Sequence, residues 1–476
     1  MNKQAVAAPM SRPAFGATLP ASIPILFLIF TFLVGGGSRS DIASLPFLRA
    51  IAVLAAFWAA TRLTADDWRR IRAPLVLLVL LTVWIALQLV PLPPALWHSL
   101  PGREAIISID RLLGQPDIWR PISMTPSLTM NSLLGMTVPA AALLLAAGVE
   151  TNDYPPLMLA IIAMACFGAA LGMVQILGGG SSPAYLYRIT NTDSMVGLFA
   201  NRNHHAVFLA CVIPIAAMLL RDELQRRRQR KPVQGGLVLA IMLLTVMTVL
   251  IGSRAGFAAG VVAFAFAYAI VLTAWRTAYV ERGLSVKAPS SRISVWRWLT
   301  YSPPVLLAAL LGTALWFSSR TTSITRVIGN DVGDDLRVKA WPTVQSMIET
   351  YWNFGSGFGS FPEVYKMFEP DHLLHPSYFN RAHNDWAELV MTGGLPATVI
   401  LVAAVAWIVR SFFARGARNL LKGYRGDVRL PFALSIAILS AASIVDYPLR
   451  VPSIQAFAVM LIVFLCCPRA PRVERN

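Results

Sequence analysis

Long apolar runs recur along almost the whole chain, and they constrain its fold more than any other feature. A helix that crosses the hydrocarbon core of a bilayer needs about 20 predominantly apolar residues. Windows that approach this requirement lie near residues 22–38, 47–61, 73–93, 132–149, 157–178, 203–220, 235–252, 255–275, 300–317, 386–409, 431–446 and 451–468. Only 14% of the residues are charged, whereas soluble domains average about 25%. The sequence therefore predicts an all-α polytopic membrane protein with about 12 transmembrane helices.

The positions of the basic residues predict an orientation. The formal net charge is +17, which by itself would suggest a partner such as nucleic acid. However, Lys and Arg concentrate in alternate connections, with six between residues 221 and 231 and six between 410 and 429. Cytoplasmic connections of membrane proteins are enriched in these residues. Both termini are therefore predicted to be cytoplasmic, the whole excess charge faces membrane lipids, and no nucleic acid is expected.

This topology divides the chain into five parts. Residues 1–21 form a cytoplasmic tail, 22–317 hold spans 1–9, 318–385 form one large periplasmic loop, 386–468 hold spans 10–12, and 469–476 form a second cytoplasmic tail. The first apolar run is longer than most signal-peptide cores and many runs follow it, so we expect an uncleaved helix. Within the loop, helical spacing predicts an amphipathic helix on or near the membrane face, with apolar positions Leu336, Ala340, Val344, Met347, Ile348 and Tyr351.

Polar side chains mark several of the connections predicted to be periplasmic. Ionisable groups beside a membrane are costly and are candidates for function; here they are Arg202, Arg254, Arg337, His383, Asp446 and Arg450, with Asn384 beside the histidine. Guanidinium groups pair bidentately with phosphate oxygens and keep their charge, so converging arginines suit a diphosphate. A neutral imidazole can act as general base toward a sugar hydroxyl. Each arginine could instead contact lipid headgroups, and the histidine could be a solvated loop residue.

Other site classes find less support. His372, His375 and His383 with Asp371 could be read as a metal site, but this spacing is common, and no pattern of residues that would orient metal ligands accompanies it. The glycines at 355, 357 and 359 do not follow a strand, so they do not indicate a dinucleotide-binding loop. His204 and His205 are consecutive and diverge by about 100° on a helix, so both cannot face one site. We expect neither a metal nor a cofactor.

The order of several motifs resembles that of the bacterial O-antigen ligase/polymerase superfamily. The main motifs are Asp335-Leu-Arg337, Gly355-Ser-Gly357-Phe-Gly359, His383-Asn384, Glu388-Leu389 and Gly393-Gly394. Upstream elements are Phe199-Ala-Asn201-Arg-Asn203 and Gly252-Ser-Arg254-Ala-Gly256, and the segment 445–452 resembles the tail of exopolysaccharide-cluster members. The resemblance covers roughly residues 195–455.

The resemblance implies an integral glycosyltransferase of the GT-C kind in the bacterial inner membrane. Its donor would be a lipid-linked oligosaccharide on a polyprenyl diphosphate, used at a periplasmic active site without metal or nucleotide. By this resemblance His383 activates or orients the acceptor hydroxyl, and Arg254 and Arg337 hold the donor diphosphate. The same resemblance gives auxiliary substrate-binding roles to Arg202, Asn384, Asp446 and Arg450.

The acceptor is left open by the sequence. A polymerase in O-antigen or exopolysaccharide biosynthesis extends a glycan on the lipid carrier, whereas a ligase transfers it to lipid A–core. The Asp-Tyr-Pro-Leu-Arg tail slightly favours polymerisation. A protein O-oligosaccharyltransferase and a polysaccharide or lipid transporter are further alternatives, although a transporter would be expected to carry charges at mid-membrane. The oligomeric state is not predicted.

Overall fold

The computed structural model describes residues 21–281, 332–374, 379–414 and 427–471, together with Gly312. The described chain is mostly helical. From the N-terminus up to the first gap the helices are α1 (Ser22–Val34), α2 (Leu45–Arg62), α3 (Ala65–Arg70), α4 (Arg72–Leu87), α5 (Pro94–His98), α6 (Glu104–Leu112), α7 (Pro126–Gly135), α8 (Thr137–Gly148), α9 (Tyr154–Leu177), α10 (Arg202–Leu224), α11 (Lys231–Leu250) and α12 (Arg254–Glu281).

After that gap the described helices are α13 (Val332–Tyr351), α14 (Phe361–Phe368), α15 (Asp385–Ala414), α16 (Arg429–Val445) and α17 (Pro452–Cys466). Short 3₁₀ turns occur at Thr151–Asp153, Asp371–Leu373 and Pro448–Arg450. A departure from the all-α prediction is a small antiparallel ribbon, in which β1 (Pro91–Leu92) pairs with β2 (Arg120–Pro121).

Several helices are suited by length and composition to cross a membrane. Six in the described residues are long and apolar enough: Leu45–Arg62, Pro126–Gly148 (α7 with α8), Thr151–Leu177, Lys231–Leu250, Arg254–Thr277 and Asp385–Ala414. Shorter apolar helices are Ser22–Val34, Arg72–Leu87, Arg429–Val445 and Pro452–Cys466. These findings confirm a polytopic membrane protein, while the count of twelve spans stays a prediction. Apart from Gly312, the predicted span 300–317 lies outside the described residues.

Helix α10 lies at the centre of the main core. All of its residues from His204 to Leu220 are buried, and it packs against α9, α11, α12 and α16. Small residues in its neighbours permit this close packing. A Cβ at Gly256, in the first turn of α12, would overlap the Cβ of Ala206. The first turns of α10 and α12 are thereby held side by side.

The described part of the predicted loop forms a second, smaller core. Ala340, Val344, Met347 and Tyr351 of α13 are buried, and they pack with residues of α14 and the start of α15. The helical spacing in this segment is thus explained by the protein's own core. Side chains of residues 332–336, including the predicted apolar residue Leu336, lie outside the description.

Helix α15 is kinked about a third of the way along its length, where Gly394 has φ 64° and ψ −162°. The glycine-rich loop between α13 and α14 packs against this kink. A Cβ at Gly394 would come within 2.5 Å of the backbone nitrogen of Gly355. The buried amide of Gln88 links the glycine-rich loop to the kink. Its Nε2 donates to the carbonyls of Phe354 in the loop at 3.0 Å and of Thr392 in α15 at 2.9 Å. Its Oε1 accepts from Phe358 N at 3.1 Å. The loop is thus anchored on the helix that follows His383.

Candidate active site

A cavity of about 950 Å³ opens at the end of the bundle where α10, α12 and α15 begin and α16 ends. One part of the wall is polar and carries Arg202, Asn203, Ser253, Arg254, Arg337, His383, Asn384 and Asp446. The remainder is apolar and is formed largely by the facing sides of α12 and α16, with Ala255, Ala258, Ala259, Val262, Leu434, Ala437, Ile438, Ala441, Ala442, Ile444 and Val445. The cavity therefore has a cationic head region that continues into an apolar groove.

Six of the seven residues singled out in the sequence line this one cavity. They are Arg202, Arg254, Arg337, His383, Asn384 and Asp446, and they are delivered by five separate segments of the chain. The seventh, Arg450, does not line it. Its Nε lies 3.2 Å from Asp385 Oδ1 and 3.7 Å from Glu388 Oε1, so its contacts are with the buried start of α15.

Three helices begin at the polar part of the cavity, and each has a local reason to begin there. The Asn201 side chain accepts from Asn203 N at 2.8 Å before α10, and Ser253 Oγ accepts from Gly256 N at 3.1 Å before α12. Asn384 Oδ1 accepts from Trp386 N at 3.1 Å before α15. These are ordinary N-cap contacts. Because helix N-termini carry partial positive charge, three of them together with three arginines make this part of the cavity attractive to an anion.

The two glycines of the Gly252-Ser-Arg254-Ala-Gly256 turn have different roles. Gly252 lines the cavity and has φ 71°, a conformation that favours glycine. Gly256 is absent from the cavity wall, and its missing side chain allows α12 to approach α10. Gly256 therefore serves the packing of two helices, whereas Gly252 serves the turn at the cavity wall.

His383 adopts an unusual backbone conformation, with φ 51°. A non-glycine residue in the left-handed region is uncommon and persists where its surroundings hold it. Its Nδ1 lies 3.4 Å from Asp446 Oδ1, and its ring meets that of Tyr447 edge-on with centroids 4.9 Å apart. The imidazole is 16% exposed, so it is held from one side and accessible from the cavity.

Asp446 lies in the connection between α16 and α17 and is buried. Burial raises the pKa of this carboxyl, but the hydrogen bond from His383 and the nearby His204 and Arg337 outweigh it and hold the pKa below its usual range. The adjacent Tyr447 is also buried, and burial raises its pKa to about 12. Asp446 is therefore a carboxylate facing His383 Nδ1, and Tyr447 stays a neutral phenol.

A buried charge cluster holds the segment that carries His383. Arg381 Nη1 donates to Glu388 Oε1 at 2.9 Å, and Ala382 N donates to Glu388 Oε2 at 3.1 Å. Glu388 is fully buried. Asp385 Oδ2 accepts from Leu449 N at 2.9 Å, so the same cluster also ties down the turn that follows Asp446. Both sides of the His383–Asp446 contact are thus fastened to the first turns of α15.

Some contributors to this arrangement had no role in the sequence interpretation. His204 was considered only as a consecutive pair with His205, and Tyr447 and Glu388 lay within segments that carry the family resemblance but received no role of their own. Arg381, Asp385 and Glu388 belong to the ion-pair cluster. One feature of the sequence could have indicated the cluster: several charged residues lie close to position 385, at the predicted start of a span. Ionisable residues there are energetically costly unless they are paired. His205 turns away from the cavity, and its Nδ1 contacts Met195 O at 2.8 Å, as the divergence of consecutive helical residues predicts.

Within the described ranges no group of three or more His, Cys, Asp or Glu side chains is arranged to hold a metal ion. His375, one of the three histidines considered for such a site, lies outside those ranges.

The fold and cavity define a polytopic helical membrane protein with an arginine- and histidine-lined cavity at one end. A family model described as O-Antigen ligase matches residues 237–402. The match runs from α11 into α15 and includes Arg254, Arg337 and His383. It confirms the predicted relation to the O-antigen ligase-related superfamily, over a narrower region than the 195–455 inferred from motifs. No curated protein matches the chain.

Proposed function

We propose that this protein is a periplasm-facing, inverting glycosyltransferase of the inner membrane that uses a polyprenyl-diphosphate-linked glycan as donor. It acts as polymerase or ligase in O-antigen or exopolysaccharide biosynthesis. The observation that carries the proposal is the single cavity in which three arginines, His383 and Asp446 meet beside an apolar groove. The family match supports the same reaction class.

The two parts of the cavity suit the two parts of such a donor. Arg202, Arg254 and Arg337 would pair with the diphosphate oxygens, since guanidinium groups bind them bidentately. Small apolar residues of α12 and α16 would accommodate the first units of the polyprenyl chain. A soluble nucleotide-sugar would have no use for that groove, so a lipid-linked donor is the better fit.

The reaction would be a single displacement at the anomeric carbon. His383 Nε2 takes the proton of the acceptor hydroxyl while the hydroxyl oxygen bonds to the anomeric carbon and the bond to the diphosphate breaks. Asp446 holds the other ring nitrogen, Nδ1, as the proton-bearing one, and it stabilises the imidazolium that forms. The arginines stabilise the charge that develops on the departing diphosphate, which is an electrostatic contribution of several kcal/mol. One displacement inverts the anomeric configuration.

The test is His383→Ala in a strain that lacks the chromosomal copy, with membrane insertion checked by immunoblot. Surface or secreted glycan should disappear, because the general base is gone. The matched control is His372→Ala, which removes an exposed histidine from the same loop and should leave glycan production unchanged. Full glycan production by the His383 variant would refute the assignment.

Gel analysis of the deletion strain separates the two members of this class. Long lipid-linked polymer together with bare lipid A–core would identify a ligase, which the description of the matching family favours. Single repeat units, or loss of secreted polysaccharide, would identify a polymerase.

A further inference from the structure

His204 is a buried histidine whose hydrogen-bonding groups are not used by the fold. It lies in the first turn of α10, and its residue surface is 1% exposed. Neither ring nitrogen has a hydrogen-bond partner among the described residues. A buried polar group without a hydrogen-bond partner destabilises the folded state, so it needs an explanation.

The ring of His204 faces the carboxylate that holds His383. His204 Nε2 lies 4.0 Å from Asp446 Oδ1, the same oxygen that contacts His383 Nδ1 at 3.4 Å. Tyr447 bridges the two histidines, because its ring centroid is 4.9 Å from each of theirs and meets both edge-on. One carboxylate oxygen and one phenol ring therefore lie between two imidazoles that come from different parts of the chain.

The Asp446 carboxylate can accept a further hydrogen bond. Asp446 Oδ2 is buried and has no hydrogen-bond partner among the residues described. A gap of 4.0 Å is closed by one bridging water, or by a movement of about 1 Å to ordinary hydrogen-bond length. Catalytic hydrogen bonds are often long without substrate and shorten in the complex.

We propose that His204 is a positioning residue that donates from Nε2 to Asp446 and keeps this carboxylate aimed at Nδ1 of His383. Loss of the His204 N–H leaves the buried Asp446 carboxylate with one hydrogen-bond donor fewer to stabilise its charge, so the carboxylate turns away or takes up a proton. His383 then loses the partner that keeps its Nε2 free to accept a proton. The inference rests on the proposed function, since it concerns the base of that reaction.

The first measurement is glycosyl transfer from purified lipid-linked glycan of the producing strain, in proteoliposomes. His204→Phe should lower kcat by about 10–100-fold, a size typical of residues that orient a functional group, with KM for the donor unchanged. His204→Gln keeps an N–H close to the position of Nε2 and should recover most of the rate. A merely structural histidine would not show this rescue together with an unchanged KM.

The matched control is His205→Phe, which removes an equally buried imidazole one residue along the same helix. His205 contacts Met195 O instead of Asp446, so this variant should lose thermal stability but keep its kcat per folded molecule. Equal losses of kcat in both variants would overturn the inference, because they would indicate a general loss of packing.

The second measurement does not depend on glycosyl transfer. Diethyl pyrocarbonate acylates unprotonated imidazole, and mass spectrometry of the purified protein reports the rate at His383. His204→Phe should slow this reaction about tenfold, as expected for loss of one hydrogen bond's influence on the ring, and His205→Phe should not.

The two measurements separate the two hypotheses. If the wild type transfers no glycan but His204→Phe still slows acylation of His383, the proposed function is wrong and the positioning role stands. If His204→Phe leaves acylation of His383 at the wild-type rate, the positioning role is refuted, whether or not the wild type transfers glycan.

Discussion

Glu388 holds the His383 segment through a buried charge cluster, and its removal should be costly. Its carboxylate accepts from Arg381 Nη1 at 2.9 Å and from Ala382 N at 3.1 Å, and Arg450 Nε lies 3.7 Å away. The Glu388 side chain is 0% exposed. Truncating one member of a buried ion pair leaves the other charge uncompensated and costs about 3–5 kcal/mol. Glu388→Ala should therefore lower the free energy of unfolding by about this amount, and it should also reduce glycosyl transfer.

Glu363→Ala is the matched control for this measurement. Glu363 pairs with Lys366 at 2.8 Å, but the two side chains are 50% and 49% exposed. Exposed pairs contribute only about 0–1 kcal/mol. Both variants are unfolded by SDS titration in mixed micelles and followed by tryptophan fluorescence. The reasoning is refuted if Glu388→Ala loses no more stability than Glu363→Ala.

Three further substitutions test the loop, the kink and the anion site. Gln88→Leu removes three hydrogen bonds between a buried amide and backbone groups, and it should lower the free energy of unfolding by about 2–4 kcal/mol in the same SDS titration. An unchanged midpoint would contradict this. Gly394→Ala should destabilise by at least about 1–3 kcal/mol, because φ is 64° there and the new Cβ would also lie 2.5 Å from Gly355 N. Gly235→Ala, in α11 with nothing within 4 Å of the new Cβ, should be neutral or slightly stabilising, and equal effects would argue against strain and overlap at Gly394. Arg254→Ala should lower glycosyl transfer by about 10²–10³-fold, and Arg254→Lys should recover only part of the rate, since lysine cannot bind bidentately. The control Arg111→Ala, at an exposed arginine, should have no effect. Wild-type transfer by Arg254→Ala would show that Arg254 does not belong to the site.

The helical content and much of the cavity could be predicted from local pattern. Apolar runs of membrane-spanning length are local features of the sequence, and the helices coincide with eleven of the twelve windows. The remaining window, 300–317, lies outside the described residues apart from Gly312. Alternation of the spans then brings residues such as Arg202, Arg254 and Asp446 to one end, although they are distant along the chain. That step needs only the direction of each helix.

Arg450 shows where this reasoning fails. Alternation brings it to the same end as the other six residues, but the side chain pairs with Asp385 and Glu388. Two buried carboxylates at the start of α15 need cationic partners, and Arg450 is near enough to serve both. The sequence contains all three residues, but their pairing depends on how the turn after Asp446 lies on α15.

Hydropathy and motif order were enough to predict a polytopic membrane protein related to O-antigen ligases, with arginines and a histidine on one side of the membrane. Hydropathy and motif order are properties of the chain, and they survive any rotation of the helices about their axes. The folded chain was needed to find that Asp446 is the partner of His383, that His204 lies on the other side of this carboxylate, and that the apolar face of α13 packs against protein. Those contacts depend on rotations and separations of a few ångströms, because hydrogen bonds and ion pairs form only within such distances.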